Sequence, residues 1–341
     1  MIPSELHAGI RDGSLDRIAL QAMDPAAFRA RNPAGNTPVH TAARYGRLLD
    51  LPAPVLTQAF MLLKNDSGYT PLHHAAAAGH IAHVPTELLT RENLLTRSNS
   101  GYTVYHVAAG QGHLGQLPSE LVTIEVAALR TDLGNNLLHE AAENGTLDRL
   151  PHAFFTPGLF GAPNASGETV LHVAALNGHL DQVPREQINA QALLRPTHAG
   201  DTVLHAAAIA GHLSQIPPQF LIRSHLILAS KAGYTTIHAA AETGQLKVIP
   251  AENVTVDLLL TQNDHGDTPL HAAAYAGFLD QIPPALLTAQ TLGTRNYNGV
   301  TPLMTAIRRG HVDQLPPALR PKPPGPMRKM LDKLGLSKPA P

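Results

Sequence analysis

The sequence predicts an all-α fold laid out as a linear array of about ten packed units, and three recurrences predict it. A register residue returns every 33 residues, at Thr37, Thr70, Thr103, Asn136, Thr169, Thr202, Thr235, Thr268 and Thr301. A glycine stands two residues before each of these and another nine residues after it. A proline stands fifteen residues after each, from Pro52 to Pro316. Loops between packed elements tolerate insertions, so a register without a single slip implies that every unit packs on the next in the same way. For 341 residues, the prior of two closed globular domains therefore yields to a repeat. Ser4 lies one further period upstream, which makes residues 1–33 an N-terminal cap unit; 299–320 form the C-terminal cap unit, and the array covers 1–320.

The inner element of each unit runs between its two glycines. Glycine reaches positive φ without steric cost, so Gly266 reads as a tight turn and Gly277 as the left-handed stop of a helix. Between them Thr268 is the N-cap and Pro269 takes the first helical position. Paired alanines such as Ala75-Ala76 and Ala207-Ala208 leave no bulk, so a neighbouring unit can approach closely. The apolar residue before each histidine supplies the ridge that packs.

The outer element is governed by Pro52, Pro85, Pro118, Pro151, Pro184, Pro217, Pro250, Pro283 and Pro316. Proline inside a helix loses a hydrogen bond and clashes with the preceding turn, at roughly 3 kcal/mol each, so no regular helix passes this point. Five residues later stand Thr57, Thr90, Thr123, Thr156, Thr255 and Thr288, with Asn189 in one unit, and Pro157 follows Thr156 directly. That is N-cap chemistry. The expectation is a short turn over Leu-Asp-Gln-Ile-Pro, then a brief second helix starting at the capping residue.

These residues resemble the ankyrin repeat, whose G-x-T-P-L-H-x-A-A-x-x-G-H-L pattern is matched by Gly68 to Ile81, Gly200 to Leu213 and Gly266 to Leu279. The resemblance covers about residues 1–320 and implies an ankyrin-type solenoid with short inner helices, turn tips and an irregular outer layer. It further implies a family that works mostly by binding proteins. The proline slot departs from the family's usual second helix and is similar to a variant found among bacterial sequences, which implies a bacterial source.

Composition excludes several classes. With 43% hydrophobic residues and a formal charge of −1, the chain is neither a disordered polyelectrolyte nor a generally basic nucleic-acid binder. The absence of cysteine removes disulfides, thiolate metal sites and a cysteine nucleophile. No charged leader precedes an apolar stretch, and no run of about 18 apolar residues occurs, so a soluble, cytoplasmic monomer without membrane insertion is expected. Neither a nucleophile elbow nor a phosphate-cradling Gly-x-x-x-x-Gly-Lys is present, and no catalytic residue, cofactor or metal is assigned.

The histidines follow the repeat. His7, His40, His73, His106, His139, His172, His205, His238 and His271 share one slot, read as a structural imidazole bridging adjacent turns. His80, His113, His179, His212 and His311 follow the helix-ending glycine and are placed to contact terminal carbonyls or the next unit. The densest cluster, His73, His74, His80 and His83, is weighed as a metal site and set aside, because its spacing crosses a helix end.

A binding surface must rest on positions that packing leaves variable: the turn residue before the register residue, and helix positions four, seven and eight after it, all read as exposed. Tyr69, Tyr102 and Tyr234 occupy such turns, and Tyr45 and Tyr275 such helix positions. Tyrosine supplies rigid area and a hydroxyl at low entropic cost; a local turn preference for tyrosine is the competing reading. Arg44, Glu140, Glu143, Glu242, Arg308 and Arg309 add charge on the same positions. Phe154, Phe155 and Phe160 fall where sister units carry leucine and read as core. The expected function is a scaffold that holds another protein on the concave face of the array. The alternative is a structural or regulatory spacer whose binding element is the basic, proline-rich tail 321–341, expected to be disordered and able to touch a membrane surface or an acidic partner. An enzyme of unknown type is the remote third reading.

Overall fold

The structure, a computed structural model, describes residues 3–321; the tail predicted over 321–341 lies, apart from Pro321, outside the described residues. The chain forms two compact bodies, Met1–Pro217 and Pro218–Pro341. In the first, the inner helices Pro3–Asp12, Pro38–Arg44, Pro71–Ala78, Val104–Gly110, Leu137–Asn144, Val170–Asn177 and Val203–Ala210 pack each on the next. In the second, Thr236–Glu242, Pro269–Ala276 and Pro302–Arg309 do the same. The fold is an all-α repeat solenoid of the ankyrin type.

The alanine pairs make this packing possible. Ala75, Ala76, Ala108, Ala109, Ala141, Ala142, Ala207 and Ala208 are fully buried, so successive helices meet over methyl groups while Leu72, Leu138 and Leu204 fill the layer beneath. All eighteen repeat glycines have positive φ, as the turn and stop positions require.

The slot histidines His40, His73, His139, His172, His238 and His271 each close two interfaces at once. The Nδ1 of His40 accepts the Thr37 amide at 3.1 Å, which completes a capping box with the Thr37 side chain. An Nδ1 that accepts leaves the proton on Nε2, and that N–H donates to the Tyr69 carbonyl of the next unit at 3.0 Å. His73 bridges likewise from Thr70 to Tyr102, and His271 from Thr268 to Val300. One neutral imidazole therefore caps its own helix and pins the following turn.

The outer layer is broken where proline demands it, and is more segmented than the sequence suggests. In one unit a 3₁₀ turn Leu180–Gln182 ends at an extended Val183, and Pro184 follows at φ −54° and ψ 135°. The residue before a proline is disfavoured in the helical region, which explains the break. A second 3₁₀ turn, Arg185–Gln187, then precedes the N-cap Asn189 and the one-turn helix Ala190–Leu193. That second turn is a correction to the expected single one; its Gln187 amide bonds the Pro184 carbonyl at 2.9 Å. The side chains of Thr90, Thr156, Asn189 and Thr288 accept the predicted capping bonds. Phe154 and Phe160 are buried as expected, while Phe155 is half-buried.

Glutamine explains why Leu-Asp-Gln recurs. Gln182 Oε1 accepts the Leu147 amide at 3.0 Å and its Nε2 donates to the Gly145 carbonyl at 3.0 Å, both in the preceding unit. Gln215 repeats the pair with Leu180 and Gly178, and Gln314 with Leu279 and Gly277. The histidines after the stop glycine also reach back, not forward: His113 Nδ1 lies 2.8 Å from the Ala76 carbonyl and His311 Nδ1 3.0 Å from that of Ala274.

Candidate protein-binding face

Helix positions seven and eight after the register residue project from the packed layer, because the alanine side of each helix is turned inward. Tyr45 is 43% exposed and Tyr275 54%, and Arg44, Glu143, Glu242, Arg308 and Arg309 are exposed as well. Position four lies lower on the same side. Glu140, read from sequence as an exposed charge, is 4% exposed, which corrects that reading. Its carboxyl accepts from Asn135 Nδ2 at 3.0 Å, and burial pushes its pKa up to about 7.

The three turn tyrosines are half-buried, each against the histidine of its own unit. Ring centroids are 5.3 Å apart for Tyr69 and His73, 6.0 Å for Tyr102 and His106, and 5.1 Å for Tyr234 and His238. The first two pairs pack edge-on and the third is tilted by 32°, a local use for tyrosine that leaves each ring half-exposed. Burial, then the nearby Glu140 carboxylate, raises the Tyr102 phenol above its ordinary range. In the second body the Tyr234 hydroxyl donates to Glu242, and the Arg309 guanidinium lies 3.6 Å from the Tyr275 ring centroid. Tyr234, Glu242 and Tyr275 together line a cavity of about 320 Å³.

Two apolar members of this face escaped the sequence reading. Leu176 and Ile209 occupy position seven, are 36% and 49% exposed, and line one cavity of about 210 Å³ beside Glu168 and Asp201. Position seven, the same slot as that of Glu143, is the sequence signal that marks them.

The four clustered histidines are not brought to one point. His73 is engaged at both nitrogens, His74 packs edge-on against His40 at 5.2 Å, and His80 and His83 tilt together at 5.6 Å. Among the described residues, no group of three or more His, Asp or Glu side chains is arranged to hold a metal ion. No described helix is long and apolar enough to cross a membrane.

A search of curated proteins finds no match to the chain. Residues 251–315 match the family model described as ankyrin repeats (3 copies). Residues 251–315 are thus ankyrin repeats, and the glycine pair, the bridging histidine and the proline slot that they carry recur along the rest of the sequence.

Proposed function

We propose that this chain is a non-catalytic scaffold that binds another protein through the face made by its turn tips and inner helices. Ankyrin repeats are in general protein-interaction modules. The observation that carries the reading is a division of labour within each unit. The alanines, the bridging histidine and the apolar ridge are buried and recur, whereas positions that differ from unit to unit are exposed: Tyr45, Glu143, Leu176 and Ile209 on the helix layer of the first body, and Tyr275 on that of the second. Side chains that packing does not dictate, exposed on the helix layer of each body with aromatic anchors, suit recognition. Charge along the face is segmented: Arg44 precedes Glu143 in the first body, and Glu242 precedes Arg308 and Arg309 in the second. A partner of complementary pattern would be held in one register.

The competing reading places binding in the tail, whose basic residues are Lys322, Arg328, Lys329, Lys333 and Lys338. Affinity capture with the full chain separates the two. Replacing Tyr102 and Tyr275 with alanine should leave folding intact and weaken capture of a native partner by about 1–2 kcal/mol for each true hot spot. Replacing the five tail cations with glutamine should leave it unchanged. The reverse pattern would move the binding element to the tail.

A further inference from the structure

The first body carries a continuous groove at its N-terminal end that no family property assigns. One cavity, of about 270 Å³, is lined by Arg11, Asn36, Thr41, Arg44, Tyr45 and His74, among others. A second, of about 580 Å³, shares Arg44, Tyr45 and His74 with it and continues over Tyr69, Ala77, Ala78 and Val107. Their characters differ. The first is lined mainly by polar residues, two of them arginines; the second is floored by small apolar side chains between two tyrosines.

No carboxylate lines either cavity. Among the described residues, neither Arg11 nor Arg44 has a hydrogen-bond or ion-pair partner, whereas Arg47 is taken by Asp50 and Arg97 by Asp132. The nearest acid in sequence, Asp12, accepts the Ser14 amide at 3.0 Å and feels the Arg11 charge only as a lesser influence, with no hydrogen bond or ion pair between them. Two unpaired arginines on one small cavity create a positive field, and a planar guanidinium matches a carboxylate bidentately. The polar cavity is below the ~300–1,000 Å³ of small-molecule clefts, which suits a single side chain. We propose that the groove takes an extended segment of the partner protein in which a glutamate or aspartate docks between Arg11 and Arg44 and a bulky apolar side chain two residues along, on the same face of the strand, fills the space over Ala77, Ala78 and Val107. The two cavities share Arg44, Tyr45 and His74, and side chains i and i+2 of an extended segment lie on one face, so both can enter the groove from the same strand.

Burial, then the adjacent Arg44 charge, holds His74 neutral with its pKa lowered to about 4, so this ring is a reporter already sensitive to charge in the groove. The inference rests on the scaffold reading, and the test keeps the two apart. The full chain is titrated with the peptide Ac-Gly-Glu-Gly-Leu-Gly-NH2 while the imidazole resonances of His40 and His74 are followed. Saturable shifts at His74 are expected. The counterpart with Gln for Glu should bind about tenfold more weakly, as should the wild-type peptide to Arg11→Gln and Arg44→Gln chains, because one charge-assisted contact is lost in each. Ala78→Trp, which fills the apolar cavity, should abolish the response. Equal binding of the Glu and Gln peptides, no shift at His74, or unaltered binding by both arginine variants would overturn the assignment. Inorganic phosphate producing the same shifts at lower concentration than the peptide would overturn it too, since the groove would then be a free-anion site. Tyr102 and Tyr275 lie outside both cavities, so their effect on partner capture judges the scaffold reading independently.

Discussion

Lowering the pH from 7.5 to 5.0 should remove most of this protein's folding stability. Burial depresses the slot histidines from 6.5: His40 to about 3, and His73, His106 and His139 to about 4. His7, His172, His238 and His271 are lowered for the same reason. For a base whose folded pKa lies below its unfolded one, stability is complete above the unfolded value and is lost as pH falls from there toward the folded value. At pH 5.0 each site displaced to about 4 has lost about 2 kcal/mol, so the four lose on the order of 8 kcal/mol. A whole domain typically has ~5–15 kcal/mol.

Glu140 works against them. Its folded pKa is raised from 4.5 to about 7, so its share of stability is full below 4.5 and is lost as pH rises through 7. Acidification over the same window therefore returns on the order of 2 kcal/mol from that one carboxyl. Asp12, Glu125 and Asp257, which are lowered, act only near and below pH 4. The histidines win by number, and because stacked units share interfaces the transition should be sharp. Urea titration at pH 7.5, 6.0 and 5.0 measures it. Changing His106 and His139 together to glutamine, which keeps an acceptor for the helix cap but does not titrate, should reduce the loss by about 4 kcal/mol. Stability that stays flat to pH 5.0, or a slope unmoved by the double variant, would show that these imidazoles are not what couples folding to protons.

The second large effect is expected at a turn tip. Gly68 has φ +80°, and a Cβ built there would stand 2.5 Å from the backbone nitrogen of Asn99 in the next unit. Gly299 occupies the same slot of the last unit at φ +73°, but its Cβ would meet only the Arg295 guanidinium, at 3.6 Å. Gly299→Ala should therefore cost about 1–2 kcal/mol, the left-handed conformation alone. Gly68→Ala adds the separation of two packed turns and should cost about 2–5 kcal/mol. Denaturation midpoints of the two variants compare them directly. Equal costs would mean that contact between turn tips contributes nothing beyond local backbone strain.

Most of the fold was legible because its causes are local and repeated. Thr268, Pro269 and Gly277 are a cap, a first-turn proline and a left-handed stop whatever surrounds them, and nine copies at one spacing turned a motif into an architecture. The prolines likewise forbid a helix by their own stereochemistry. The candidate face was legible only as a set of positions. Repetition marks what packing requires and leaves the remainder as candidates, but says nothing of depth: Glu143 is exposed while Glu140, one turn earlier, is buried.

The sequence by itself determined the period, the class of every inner element, the break in the outer layer and the neutral, bridging nature of the histidine slot, since each follows from the stereochemistry or hydrogen-bonding capacity of a residue and its near neighbours. Only the tertiary structure decided which unit each side chain reaches. Gln182 and His113 bond backward while His73 bonds forward, and Arg44 meets Arg11 across one cavity though 33 residues separate them. Contacts of that range depend on how one unit seats on another, a distance and an angle that no residue carries alone and that the buried alanine pairs set jointly.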